Sequence, residues 1–147
     1  KLEIHLSGNI DGEVLAEIES YSCLKGKVKQ LGYLSHAQVL EQYNQADVLL
    51  LLLFNSKSGI GNYPGKIFEY FAARKPILAF GPIRSDAERL IEKTNTGMYF
   101  SYEKEDIEYN ILQLFTKTSI YSQYPDLEGY SREKITIDLA NLLNTLI

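Results

Sequence analysis

The chain has 147 residues, enough for one domain with a real core, and at 45% hydrophobic and 23% charged it has an ordinary soluble, globular composition. Its net charge of −4 argues against a general nucleic-acid binder, because a phosphate backbone calls for a basic face. The longest apolar run, Val48 to Phe54, is too short to cross a membrane, and Cys23, the only cysteine, excludes an internal disulfide and fits a reducing compartment.

The chain opens on Lys1 inside an apolar alternating segment, with no signal peptide, and its only methionine is Met98; a piece of a longer protein is expected. Leu2, Ile4 and Leu6 alternate with polar residues and predict a first strand ending at Gly8-Asn9. Val14, Leu15, Ile18 and Tyr21 mark an amphipathic helix, and Val28 to Tyr33 a second strand. Ser35 with Gln38 three residues on is a capping-box pattern, opening a helix whose core face is Val39, Leu40 and Tyr43. Asp47 leads into VLLLLLF, a continuous apolar run of the kind a parallel strand covered on both faces needs, so Val48–Phe54 is expected to be the central strand.

Asn55 to Tyr63 reads as a flexible glycine-bearing loop. Pro64 suits a first helical turn, where its missing N–H has no intrahelical partner. Ile67, Phe68, Phe71 and Ala72 then fall on one face, with Lys66 and Glu69 on the other. That helix must stop before Pro76, and Pro76–Phe80 reads as a strand. Past the turn Gly81-Pro82, Ser85 with Glu88 is a second capping box, and Ala87, Leu90 and Ile91 face the core. Gly97–Phe100 is a short strand. Ile107, Ile111, Leu114 and Phe115 mark a helix, with Glu103, Glu105 and Asp106 near its positive end. A polar loop runs from Thr116 through Ser122, Pro125 and Gly129, and a last helix carries Ile135, Leu139, Leu142, Leu143 and Leu146.

Strands alternating with helices predict an α/β fold, three-layer α/β/α around a central parallel sheet, as a single domain over residues 1–147. Ligands in such folds bind beyond the carboxyl ends of the strands. Gly8-Asn9, Leu34-Ser35, Phe54–Tyr63 and Gly81-Pro82 lie there, and the loop after the expected central strand is the longest. Together with a helix N-terminus, a basic residue and an acidic residue, it suggests a site for a phosphorylated ligand. Gly65 would let a phosphate approach the backbone, and Lys66 would add a point charge. Glu69, one turn on, is an acceptor suited to vicinal hydroxyls. His5 and His36 are too isolated to suggest a metal site, and none is expected.

The runs LGYLSHAQVLEQYNQADVLLLL, YPGKIFEYFAARKPILAF and TNTGMYF resemble the C-terminal half of a GT-B glycosyltransferase, more closely the retaining group 1 family that uses nucleotide-sugar donors. The resemblance covers roughly Leu2 to Phe115, and Pro64–Tyr70 followed by Ala72–Pro76 is its most specific part. It implies a Rossmann-like donor-nucleotide domain in which Glu69 matches the family's ribose-binding Glu, Tyr63, Pro64, Gly65 and Lys66 match its diphosphate site, and Tyr33, Leu34 and Ser35 its base-binding edge. The family's other Glu, near the donor sugar, is here Gly61, so contacts to the sugar would come from backbone or from Asn62. The family's diphosphate-neutralising Arg and Lys, and its acceptor-binding N-terminal half, would precede Lys1. The implied partners are a nucleotide-sugar donor and that N-terminal half, with no nucleic acid, and membrane contact only through the missing half. The implied setting is cytoplasmic, peripheral at the inner membrane face in the full-length protein, in glycan or polysaccharide biosynthesis. The 147 residues alone are expected to lack turnover. A GT-B sugar-nucleotide epimerase and a non-catalytic nucleotide- or partner-binding module are the alternatives.

Each feature has a plainer reading as well. Lys66 and Glu69 can be a surface ion pair, Gly59, Gly61 and Gly65 can merely shape a loop, and Gly8–Gly12 can be a plain turn. Asp47 can be a strand-entry residue, His36 a solvated one, and Cys23 a small packed residue rather than a nucleophile. Tyr63 and Tyr70 could line a pocket, but with eleven tyrosines in the chain that signal is weak.

Overall fold

A computed structural model describes residues 2–116 and 127–146; most of the predicted loop after Thr116 falls outside them. The chain is α/β, with parallel strands alternating with helices, and divides into two compact units, Lys1–Gln42 and Tyr43–Ile147.

In the first unit β1 (Ile4–Ser7) pairs in parallel with β2 (Val28–Gly32), Ile4 opposite Val28. The crossover is α1 (Gly12–Ser20) followed by a 3-10 turn over Ser22–Leu24. The predicted plain turn before α1 has a further role: Asp11 is the N-cap, its carboxylate accepting from the Glu13 N–H. Cys23 is exposed, which corrects its reading as a packed residue. Helix α2 (His36–Gln45) opens with the predicted capping box. The Ser35 N–H donates to Gln38 Oε1 (2.9 Å), and the Gln38 N–H donates to Ser35 Oγ (3.4 Å).

The second unit holds a three-stranded parallel sheet in the order β3 (Leu49–Leu52), β4 (Ile77–Gly81), β5 (Gly97–Ser101). Two expectations are corrected here. Within this sheet β3 lies at the edge, and the middle position belongs to β4. Nor is the leucine run covered on both faces. Leu49, Leu51 and Leu53 are buried, whereas Leu50 is 40% and Leu52 64% exposed. The physical reason lies in the helices. On one face α4 (Lys66–Ala73) and α5 (Asp86–Thr94) join Leu49, Leu51, Leu53, Ile77 and Ala79 in one core. On the other, α6 (Glu108–Thr116) brings Leu114 against Leu78 and Phe100, with Val48, Phe80 and Met98 at the margin. That second cover stops short of Leu50 and Leu52. The run has the apolarity of a doubly covered strand, but its burial alternates with the period of a singly covered one.

The local punctuation follows prediction closely. Ser85 caps α5 through the Glu88 N–H (3.0 Å), and Ala87, Leu90 and Ile91 are buried. Helix α4 ends on Arg74 in the left-handed region (φ 52°), one residue before Lys75-Pro76. Its core face differs from prediction: Ile67, Tyr70 and Phe71 are buried, while Phe68 and Ala72 are exposed. The last helix, α7 (Arg132–Asn144), is capped by Ser131 and buries no residue. Among the described residues no helix is long and apolar enough to cross a membrane.

Candidate functional site

In the second unit the carboxyl end of β3 leads into the segment before α4. The expected flexible loop is more ordered than its glycines suggest. Ser56 caps a one-turn helix, α3 (Lys57–Ile60), by accepting from the Gly59 N–H (3.3 Å). Gly59 is buried so tightly that a Cβ there would lie 2.2 Å from the Phe54 carbonyl oxygen. Gly61 and Gly65, by contrast, face open space, with nothing within 4 Å of a built Cβ. Gly59 therefore shapes the segment, while Gly61 and Gly65 leave room beside the backbone.

Helix α4 opens without a side-chain cap, unlike α1, α3, α5 and α7. Its first turn closes through Ile67 N–H to Pro64 C=O (3.0 Å) and Phe68 N–H to Gly65 C=O (3.2 Å). Among the described residues, the Gly65 and Lys66 N–H groups have no acceptor. Such groups, with the positive end of the helix dipole, suit an anionic oxygen. Asn62, Tyr63 and Lys66 are exposed around this opening, and Pro64 is half-buried.

Lys66 and Glu69 do not form the surface pair that their spacing allows; Lys66 has no ion pair among the described residues. Glu69 is half-buried and takes a different partner, the Tyr43 hydroxyl of α2, which donates to Glu69 Oε2 (3.3 Å). Tyr43 packs edge-on against Tyr70 at 5.0 Å between centroids and 83° between planes. The Tyr70 hydroxyl donates to the Leu50 carbonyl (3.0 Å) on edge strand β3. Tyr70 is therefore a core residue and not a pocket wall. Burial pushes both phenols above their ordinary range, reinforced by the Glu69 carboxylate. Both accordingly stay protonated donors near neutral pH.

Tyr33, Leu34 and Ser35 follow β2 in the first unit. Tyr33 is 85% exposed, Leu34 is half-buried, and the Ser35 N–H and hydroxyl are both occupied by Gln38. A groove of about 350 Å³ in that unit is bordered by Leu15, Ile18, Lys25 and Val28, and none of the predicted site residues lines it. Its lining mixes apolar residues with Glu19, Lys25 and Gln30.

Sequence reasoning missed Tyr43 as a partner of Glu69. The two are 26 residues apart on different helices, and the only signal was that Tyr43 lay on the predicted core face of α2. No protein-family model matches the chain, and no curated protein matches it.

Proposed function

We propose that this chain is the donor-nucleotide-binding domain of a retaining glycosyltransferase with a GT-B, Rossmann-like architecture, its N-terminal acceptor-binding half lying upstream. The observation that carries the reading is the uncapped N-terminus of α4, open above Gly65, with the Glu69 carboxylate one turn along. In this reading the donor diphosphate accepts from the Gly65 and Lys66 N–H groups, and Lys66 adds a charge. Glu69 accepts from the ribose hydroxyls. In transfer, the acceptor hydroxyl oxygen bonds to the anomeric carbon as the bond to the diphosphate oxygen breaks; the nucleoside diphosphate leaves with the electron pair and takes up the hydroxyl's proton. Stabilising that leaving group would be this domain's main contribution to rate. With Gly61 in place of a carboxylate, the sugar would be held by backbone and Asn62. The proposed setting is the cytoplasm, with membrane contact only through the acceptor-binding half.

The test is a panel of nucleoside diphosphates and sugar nucleotides titrated into the chain by NMR, where affinities on the order of millimolar are readable. Glu69→Gln keeps the side chain's shape and an oxygen for Tyr43 but removes the charge. Hydrogen bonds to charged groups contribute roughly 1.5–3 kcal/mol, so affinity should fall about ten- to a hundredfold with little change in thermal stability. Unchanged affinity would return Glu69 to a structural role.

Gly65→Ala should move stability and binding in opposite directions. Gly65 already has helical backbone angles (φ −53°, ψ −29°) and empty space at its Cβ position. Alanine should therefore stabilise the fold by about 0.4–1 kcal/mol through the unfolded chain's reduced freedom. The same methyl group would stand where the phosphate approaches, so nucleoside diphosphate affinity should fall several-fold. A variant that is more stable and binds equally well would show that no phosphate sits there.

A further inference from the structure

We infer that Tyr43 is a positioning residue for the nucleotide's ribose: its hydroxyl holds one oxygen of Glu69 and aims the other at the sugar hydroxyls. The inference rests on the reading of Glu69 as the ribose ligand and adds a residue to it. Three contacts carry it. Tyr43 donates to Glu69 Oε2 (3.3 Å), which ties a carboxylate otherwise free to rotate on a half-exposed helix face. The Tyr43 ring stands edge-on against Tyr70 (5.0 Å, 83°), fixing its plane. Tyr70, 6% exposed, is itself pinned by its hydroxyl to the Leu50 carbonyl (3.0 Å).

The chain Leu50–Tyr70–Tyr43–Glu69 thus runs from the edge strand of the core to a carboxylate on the helix whose N-terminus lies open. A carboxylate has two oxygens, each with two acceptor positions, and one neutral phenol occupies only one of the four. The oxygen not held by Tyr43 keeps its acceptor positions for hydroxyl donors. A free glutamate loses rotamer freedom when it binds; one already held loses less, and part of the ribose affinity then depends on the Tyr43 hydroxyl. The chemistry recognised is a ribonucleoside diphosphate with both ribose hydroxyls present.

The experiment is a cycle on the full 147-residue chain. The proteins are wild type, Tyr43→Phe, Glu69→Gln and the double variant. The probes are the tightest-binding of UDP, GDP, ADP and CDP, and its 2′-deoxy counterpart. Tyr43→Phe keeps the ring against Tyr70 and removes only the hydroxyl. Affinity for the ribonucleotide should fall about three- to tenfold, with the deoxynucleotide changing less and thermal unfolding unmoved. In the Glu69→Gln background the same change should have little further effect. If Glu69→Gln weakens binding and Tyr43→Phe does not, the positioning role is overturned and the ribose reading of Glu69 stands. If neither variant changes affinity, the ribose reading itself fails. Equal losses for both probes would mean that Tyr43 acts through packing, which also overturns the inference. Should Tyr43→Phe not fold, the wild type decides: a carbon-13 label on the Tyr43 ring must respond more to the ribonucleotide than to the deoxynucleotide, and equal responses overturn it.

Discussion

Gly97→Ala is expected to destabilise the fold by about 3 kcal/mol or more, a larger effect than any other alanine substitution of a glycine in the chain. Gly97 opens β5 directly opposite Ile77 in the parallel register. A Cβ built there lies 1.9 Å from the Ile77 carbonyl oxygen and 2.7 Å from both the Ile77 nitrogen and carbonyl carbon. These are backbone atoms of the middle strand, and the Ile77 side chain is fully buried. The Ile77 N–H also donates to the Thr96 carbonyl (3.0 Å), so moving β5 away would break the bond that starts the ladder. No flexible side-chain end is available to yield. Urea unfolding should show a clear drop in midpoint, and for a chain of this size the thermal midpoint should fall by roughly 10 °C. An unchanged midpoint would mean that β5 does not approach β4 as closely as this register requires.

The second large effect is expected at Ile67, which is fully buried in the first turn of α4. It belongs to the core that joins Leu49, Leu51, Leu53 and Ile77 to the helix. Ile67→Ala should destabilise by about 2–5 kcal/mol, the range for deleting a large aliphatic side chain from a packed interior, and Ile67→Val by about 0.5–1.5 kcal/mol. Phe68→Ala, next in sequence but 37% exposed, should have a smaller effect than Ile67→Ala despite removing more atoms. Chemical unfolding of the three variants decides the order. If Phe68→Ala proved the most damaging, α4 would be rotated from the orientation described. Because Ile67 seats the turn that presents the Gly65 and Lys66 N–H groups, Ile67→Ala should also weaken any diphosphate binding.

Much of this protein was legible locally, because caps, stops and strand periods are written in residues close together in the chain. Ser35 with Gln38, and Ser85 before Glu88, both cap helices as their spacing implied. The α4 helix ends where Pro76 required, and Ala87, Leu90 and Ile91 are buried as their period predicted. Pro64 stands at the first turn of α4, as its missing N–H implied.

Tertiary contacts decided the rest. Hydrophobicity along Val48–Phe54 states that the run is apolar, but not how far a neighbouring helix extends over it; α6 covers Leu78 and Phe100 and leaves Leu52 exposed. In α4, Phe68 and Tyr70 lie about 80° to either side of the Ile67–Phe71 line, so helical period alone cannot choose between them. The choice fell to Tyr70 because its hydroxyl finds the Leu50 carbonyl and its ring finds Tyr43. The Tyr43–Glu69 bond joins residues 26 positions apart, where spacing carries no information. Period and punctuation located the five strands and the longer helices to within a residue or two, but not the one-turn helix α3 inside the loop after β3. Which strand lies in the middle, which aromatic is buried and which donor holds Glu69 were set by contacts between distant segments, because those depend on the shapes of the partners.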